Sequence, residues 1–266
     1  MNLALTDHDF DQVRTMAYDA CGLSLHEGKR ALVSSRLERI VRRNGFSSFA
    51  SYLAFLSQRK AGDEFVEFID TLTTNHSGFW REPEHFTFLR DRIMPERRGR
   101  LRVWSAACAT GEEPYTIAMC ALESGVANCS VTATDISRAA LRKAIEGRYE
   151  QGKVAPLPVG WPGRYFQTGF TETGPAGELR VADPVRRLVS FSSINLLQPL
   201  VHLGIFDVIF CRNVMIYFDR NTRDKLVENL AAQLASGGYL FTGHSETLLR
   251  LPASLKYVRP ATYRKV

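Results

Sequence analysis

The sequence predicts an α/β fold: a Rossmann-like, mostly parallel sheet with an all-helical N-terminal domain and a small antiparallel β insertion. Three observations lead there. From residue 101 onward, short apolar runs alternate with amphipathic helical segments, the pattern of buried parallel strands with helices on both faces. Residues 1–72 show helical periodicity alone. Residues 164–187, rich in Gly, Thr and Pro, break the alternation with pieces such as Glu178-Leu-Arg-Val-Ala182, whose period of two fits short antiparallel strands.

In chain order, Thr6-Asp-His-Asp9 places N-cap residues before the periodic apolar positions Phe10, Val13, Met16 and Ala17, and Gly22 ends that helix. A second helix, about 29–43, puts Val33, Leu37, Ile40 and Val41 on one face and Arg36, Arg39 and Arg43 on the other; Gly45 stops it. Six Lys or Arg lie between Lys29 and Arg43 against one acid, Glu38, so few acids are interleaved to pair with the arginines. A charge run is usually a solvated face; this one reads as a docking surface. A third helix, 49–56, and a fourth from Asp63 complete a small bundle.

Residues 73–98 read as a linker. The string Thr71-Leu-Thr-Thr-Asn-His-Ser-Gly-Phe-Trp-Arg-Glu82 is polar except for Phe79-Trp80, a pair that needs a surface to cover. Such a segment is placed to lie across the mouth of a pocket in the domain that follows, 99–266. There the strands are expected at 101–107, 131–135, 188–195, 206–211, 238–242 and 257–265, and the helices at 114–123, 137–146 and 221–234. Ser236-Gly237-Gly238 reads as a helix stop.

At 266 residues and 45% hydrophobic, the chain can bury a substantial core. No apolar run is long enough to span a membrane, and the first residues lack the basic and apolar regions of a signal peptide. Cys21, Cys108, Cys120, Cys129 and Cys211 are odd in number and form no C-x-x-C pair, as expected of buried thiols in a reducing compartment, the cytoplasm. The histidines lack metal-like spacing, and no metal site is expected. A net charge of +6 suggests an acidic partner without naming its class.

The chemistry gathers at strand ends. The first strand runs into Cys108-Ala109-Thr110-Gly111, and a helix opens with Glu112, Glu113 and Pro114. A phosphate site would want those helix N–H groups free and a Lys or Arg beside them. Two carboxylates suit a ligand with positive charge or hydroxyl donors. The second strand ends at Asp135, placed to accept ribose hydroxyls. The third ends at Asn195-Leu196, an amide suited to an adenine edge, and the fourth at Arg212-Asn213. Any one of these can be structural; the four together favour a nucleoside-type cofactor. Neither G-x-G-x-x-G nor a complete G-x-x-x-x-G-K-[ST] occurs, so nothing is built for pyrophosphate. S-adenosyl-L-methionine, with ribose, adenine and an amine-bearing cationic tail, fits Glu112 and Asp135. Methyl transfer is a displacement in which the protein chiefly aligns nucleophile and methyl.

Thr73-Thr-Asn-His-Ser-Gly-Phe-Trp-Arg-Glu82, Trp104-Ser-Ala-Ala with Thr110-Gly-Glu-Glu-Pro-Tyr115, Phe210-Cys-Arg-Asn-Val-Met-Ile-Tyr-Phe-Asp219 and Gly243-His-Ser-Glu246 together resemble the CheR chemotaxis receptor methyltransferases, with the motifs in order along the chain. The resemblance implies a class I S-adenosylmethionine-dependent methyltransferase that converts glutamate side chains on the cytoplasmic helices of chemoreceptors to methyl esters, with S-adenosyl-L-homocysteine as product. It implies that Asn75, Ser77 and Arg81 reach the cofactor, that Glu112 takes its amine and Asp135 its ribose. Asn195, Leu196, Arg212 and Asn213 complete the pocket. Arg81 and Tyr217 flank the transferring methyl and hold the substrate carboxylate. Arg36, Arg39 and Arg43 dock the receptor. No nucleic acid and no membrane insertion are implied, and a monomer is expected.

Two positions depart from the family's usual wording: Ser77 stands where Thr is common and Trp80 where a second Phe is common. Each keeps the chemistry of its class. Some members grip a receptor C-terminal peptide with the β insertion; the turn at 168–177 is longer here, which argues against tether dependence. The competing enzyme class, a nucleic-acid methyltransferase, would need an Asn/Asp-Pro-Pro-Tyr-like or Pro-Cys motif, and neither is present. A degenerate, non-catalytic scaffold is disfavoured by the intact Arg81, Asp135 and Tyr217. His244-Ser245-Glu246 reads as a polar turn after a strand rather than part of a hydrolytic triad.

Overall fold

The computed structural model describes residues 3–59, 62–96, 99–126, 128–168, 177–248 and 250–266. The helical expectation for the N-terminal part holds. Helix α1 (Asp7–Cys21) opens with a reciprocal cap: the Asp9 N–H donates to Thr6 Oγ1 at 3.1 Å and the Thr6 N–H to Asp9 Oδ2 at 3.1 Å. Gly22, at φ 70°, closes it. Helices α2 (Arg30–Arg43), α3 (Phe49–Ser57) and α4 (Asp63–Leu72) follow, burying Val33, Leu37, Ile40, Tyr52, Leu53, Phe68 and Ile69 among them.

The chain divides into two compact units, one of residues 1–74 with 217–223, the other of 75–216 with 224–266. A short piece of the C-terminal half therefore belongs to the helical unit. There the Tyr18 hydroxyl donates to Asp219 Oδ2 at 2.6 Å, and the Ser24 N–H donates to the Tyr217 carbonyl at 2.8 Å.

In the larger unit, α5 (Pro83–Phe88) continues into a widened π turn at Leu89–Ile93 before the sheet begins. The remaining elements are β1 (Leu101–Ala106), α6 (Glu112–Glu123), β2 (Cys129–Asp135), α7 (Arg138–Glu146), β3 (Arg148–Glu150), α8 (Gln151–Val154), α9 (Trp161–Tyr165), β4 (Phe166–Gln167), β5 (Glu178–Val181), α10 (Asp183–Arg186), β6 (Val189–Ser193), β7 (Phe206–Cys211), α11 (Arg220–Ala232), β8 (Leu234–Thr242), β9 (Leu255–Arg259) and β10 (Thr262–Lys265). The main sheet has the order β6-β2-β1-β7-β8-β10-β9. The first five strands of that order are parallel, and the hairpin β9–β10 is antiparallel at one edge. The chain moves outward from β1 to β2 and β6, then returns to place β7 on the other side of β1. Ligands bind where strand order reverses in this way.

Three details differ from the sequence expectation. The run 257–265 is two strands, because Pro260-Ala261 makes a tight turn with Ala261 at φ 55°. Strand β8 starts at Leu234, running through Ser236-Gly237-Gly238 with a register shift against β7 rather than stopping a helix there. The small sheet, of order β3-β5-β4, reaches back to Arg148, ahead of the expected 164–187 segment. Most of the turn at 168–177 lies outside the described residues.

The core is layered around Leu101, Val103, Val131, Val208, Phe210 and Phe241, with Ile117 and Met119 from α6 above them. Phe79 and Trp80 find the surface their exposure would have demanded. Phe79 packs edge-on against Tyr149 (4.8 Å) and Phe166 (5.4 Å) of the small sheet; Trp80 lies between Phe86 (5.4 Å) and Trp161 (5.1 Å). Fully burying a side chain such as Phe79 contributes about 1.5–3 kcal/mol, so the segment around Arg81 is anchored to the α/β unit by its own aromatics. All five cysteines are buried free thiols. Among the described residues no helix is long and apolar enough to cross a membrane.

Candidate active site

Adjacency in the sheet brings the strand ends together. Because β6, β2, β1 and β7 are neighbours in that order and parallel, their carboxyl ends line one edge, carrying Asn195-Leu196, Asp135, the 107–112 turn and Arg212-Asn213 respectively.

At the centre, Asp135 is buried, and its two oxygens accept from the backbone: Ala109 N–H to Oδ2 at 2.8 Å and Ser137 N–H to Oδ1 at 2.8 Å. Its carboxylate thus locks the β1 turn to the start of α7. Ser137 caps α7 through the Ala140 N–H (3.1 Å), and Asn75 Nδ2 donates to Ser137 Oγ at 3.2 Å. The linker residue Asn75 therefore meets the Asp135 corner directly. Gly111, at φ 94°, is required on two counts. Its backbone is left-handed, and a Cβ there would meet Ala144 Cβ at 2.8 Å and the Tyr149 hydroxyl at 2.9 Å. The Tyr149 hydroxyl donates to the Thr110 carbonyl at 2.7 Å, pinning the same turn from the small sheet. On the third strand, Asn195 Oδ1 accepts the Leu197 N–H at 3.0 Å, which shapes the turn that presents Leu196.

The two acids at the start of α6 have different surroundings. Glu112 is fully buried; it accepts from Thr110 Oγ1 at 2.7 Å and pairs with the half-exposed Lys153 ammonium at 3.3 Å. Glu113 accepts from Ser105 Oγ at 2.7 Å and from Arg212 Nη1 at 2.9 Å. Burial raises the Glu113 carboxyl above its ordinary range, against the attraction of Arg212 and the hydrogen bonds from Ser105 and Arg212.

Arg212 is committed inside the protein rather than open to a ligand through its side chain. Only 2% of the side chain is exposed, and it is held between Glu113 and Glu82, donating to Glu82 Oε2 from Nη2 at 2.9 Å and also to the Arg81 carbonyl. Its guanidinium lies 5.2 Å from the centre of the Phe86 ring. Glu82 also accepts from Asn213 Nδ2 and the His244 N–H, both at 3.3 Å. Burial would raise the Glu82 carboxyl, but the charge of Arg212 and these hydrogen bonds outweigh it and hold the group below its usual range. Arg81 is half-buried on this platform, with Nη1 donating to the His76 carbonyl at 3.2 Å; Ser77 is also half-buried.

Glu82, His85 and His244 bring three possible ligand atoms within 4.8 Å of one another, a cluster that linear spacing hides. The Glu82 carboxylate is already occupied by the donors above. His85 Nδ1 lies 3.5 Å from Glu82 Oε2, but this is no ion pair: burial first, and Arg212 second, push the imidazole down to about 3, so it is neutral. Neither ring nitrogen of His85 has a hydrogen-bond partner among the described residues.

Backbone strain concentrates here. Among the described residues the left-handed non-glycine positions are Trp80, Glu82, Ala107, Ala109, Asn213 and Ala261, and all but Ala261 belong to this edge of the sheet or to the linker over it.

The remaining expected residues lie in the helical unit. Tyr217 is half-buried in the 217–223 segment. Arg36 is spent on the end of α4: Nη1 donates to the carbonyls of Leu72 (3.0 Å) and Thr73 (3.1 Å), and both terminal nitrogens reach Thr74 Oγ1 at 3.3 Å. Arg43 pairs with Glu67 of α4, and Arg42 with Glu38 at 2.6 Å. The acids that α2 lacks in sequence thus come partly from another helix. Arg39 is exposed. The sequence does not single out Glu82, Lys153 or Glu246 as site residues, and it offers Glu113 only as a second acid beside Glu112. Glu82, Glu113 and Glu246 stand inside quoted motifs, which is the available signal.

Acids at adjacent strand ends of a Rossmann-like sheet, with Gly111 at the switch point, are the arrangement expected of a class I S-adenosylmethionine-dependent methyltransferase. Residues 75–263 match the family described as CheR methyltransferase, SAM binding domain, and residues 8–73 match CheR methyltransferase, all-alpha domain. The chain is 35% identical over 279 residues to the chemotaxis protein methyltransferase of Borreliella burgdorferi, covering 100% of this chain and 96% of that one. It is 41% identical to chemotaxis protein methyltransferase 2 of Pseudomonas aeruginosa (97% and 93% covered) and 40% identical to the chemotaxis protein methyltransferase of Salmonella typhimurium (94% and 87%). The chain belongs to the CheR methyltransferase family, and its cofactor is S-adenosylmethionine. The donor set fits that cofactor: Glu112 already holds a primary ammonium, that of Lys153, and Asp135 is a buried carboxylate at the end of β2.

Proposed function

We propose that the enzyme methylates glutamate side chains on the cytoplasmic helices of chemoreceptors, in the cytoplasm and as a monomer. The observation that carries this reading is Arg81 beside the edge of strand ends, its carbonyl held by Arg212, in a chain of this family. S-adenosylmethionine supplies a methyl group on a sulfonium centre, which leaves as a neutral thioether. Glu112 binds the ammonium of the methionine end, and Asp135 accepts from the ribose hydroxyls. Asn75, Ser77, Asn195, Leu196 and Asn213 line the pocket, and Arg212 acts through the Arg81-Glu82 backbone it holds.

The glutamate nucleophile is ionised at neutral pH, its ordinary pKa being about 4.3, so a general base is not required. Arg81 orients the carboxylate with its planar fork, and Tyr217 completes the hold. Only moderate attraction serves catalysis here, since strong neutralisation of the nucleophile in the ground state would slow attack.

Arg39, exposed on α2, is the proposed docking contact to the acidic methylation region, with Arg43 shared between that role and Glu67. The test is incubation with labelled S-adenosylmethionine and receptor cytoplasmic fragments. Label released by mild alkali is the expected outcome, because esters hydrolyse; alkali-stable label, or label on nucleic acid, would refute the reading. In calorimetry Arg81→Ala and Asp135→Ala should each weaken S-adenosylhomocysteine binding, and wild-type heats from both would remove these residues from the pocket.

A further inference from the structure

We infer that Glu246 is a positioning residue for the cofactor pocket, holding the turn that follows β7. It lies in Gly243-His-Ser-Glu246, directly after β8, and is 2% exposed. Its carboxylate makes no ion pair among the described residues; instead it accepts three backbone N–H groups. Oε2 takes Asn213 at 2.7 Å and Gly243 at 2.7 Å, and Oε1 takes Ile216 at 3.2 Å. A buried carboxylate is tolerated only where such donors replace its water.

The three donors come from two strand ends. Asn213 and Ile216 follow β7, and Gly243 follows β8, so one side chain ties the ends of two neighbouring parallel strands. The geometry is tight: a Cβ on Gly243 would fall 2.7 Å from Glu246 Oε2 and 2.6 Å from Asn213 Nδ2. It also fixes the backbone, because Asn213 stands at φ 58°, in the left-handed region that non-glycine residues adopt uncommonly. Held so, Asn213 directs its amide to Glu82, whose own backbone is left-handed and whose carboxylate receives Arg212. Glu246 therefore stands at the base of a chain of contacts running Glu246, Asn213, Glu82, Arg212, Glu113, which spans the ends of β8 and β7, the linker and the start of α6. None of these steps needs Glu246 to touch cofactor or substrate.

Glu246→Gln tests this with nearly unchanged shape. One carboxylate oxygen becomes an NH2 group, which must confront a backbone N–H, either at Ile216 or at the Asn213–Gly243 pair. Glu246→Asp keeps the charge but is one methylene short of reaching both sides. Binding of S-adenosylhomocysteine by calorimetry and the KM for S-adenosylmethionine are read alongside thermal unfolding. The expected result for Glu246→Gln is cooperative unfolding with roughly tenfold weaker product binding and a KM raised by the same factor, the loss of one charged hydrogen bond. Glu246→Asp should lie between. Wild-type affinity and KM in a folded Glu246→Gln, whatever its melting temperature, would overturn the proposal, as would failure of both variants to fold, which would make Glu246 a stability residue alone. The readout is binding of the cofactor product, so its result is separate from which acceptor the enzyme methylates.

Discussion

Arg212 Nη1 lies 2.9 Å from Glu113 Oε2, joining the end of β7 to the first turn of α6 with 2% of the arginine side chain exposed. The same guanidinium closes on Glu82, so two carboxylates share one buried cation. Removing that cation leaves both acids facing each other out of water. Arg212→Met should therefore destabilise the protein by roughly 3–5 kcal/mol, read as a lowered urea midpoint at unchanged slope. Arg212→Lys, which cannot fork to both partners, should recover only part. A loss under about 1 kcal/mol in Arg212→Met would show that the triad is not a structural tie.

Arg39→Glu should reduce kcat/KM for receptor fragments severalfold at low salt, with the difference shrinking as ionic strength rises, because exposed charges are screened. S-adenosylhomocysteine affinity should be unchanged. Arg36→Ala should instead lower thermal stability, since its guanidinium caps the carbonyl end of α4. Equal kcat/KM for Arg39→Glu and wild type across the salt series would remove α2 from the docking surface.

Lys153 occupies the acid that the cofactor's ammonium is proposed to use, and half of its side chain is exposed. Lys153→Met should tighten S-adenosylhomocysteine binding by relieving that competition, whereas Glu112→Gln should weaken it. Titration calorimetry on both variants decides the matter; weaker binding in Lys153→Met would mean that the lysine assists the ligand instead.

His85 makes stability sensitive to mild acid. Its folded value of about 3 lies below the unfolded value of about 6.5. Above pH 6.5 both states are neutral and the group adds no pH dependence. As pH falls from 6.5 to 5, the unfolded chain takes a proton that the native chain refuses, which favours unfolding by up to about 1.4 kcal/mol per pH unit. His85→Gln should flatten the stability profile over that window, measured by denaturant midpoints at half-unit steps. Parallel profiles for variant and wild type would refute the assignment.

The α/β architecture and the edge of strand ends were legible because strands buried on both faces are near-continuous apolar runs, and because polar residues that end such runs are conspicuous. Asp135, Asn195 and Arg212-Asn213 were placed at strand ends that way. The three-residue strand β3 was not, since it is too short to display a period. Nor was the role of Arg212, whose partners lie 130 and 99 positions away and meet it only through sheet order and the docking of Phe79 and Trp80. The partners of Arg36 were hidden for the same reason: most are backbone carbonyls at the end of α4, and carbonyls carry no sequence signature.

Ala107 and Ala109 hold left-handed backbone on either side of Cys108, in the turn that Asp135 clasps. Glycine would adopt those angles without the Cβ penalty, so Ala107→Gly or Ala109→Gly relaxes the native turn and loosens the unfolded chain at once, two effects of opposite sign on stability.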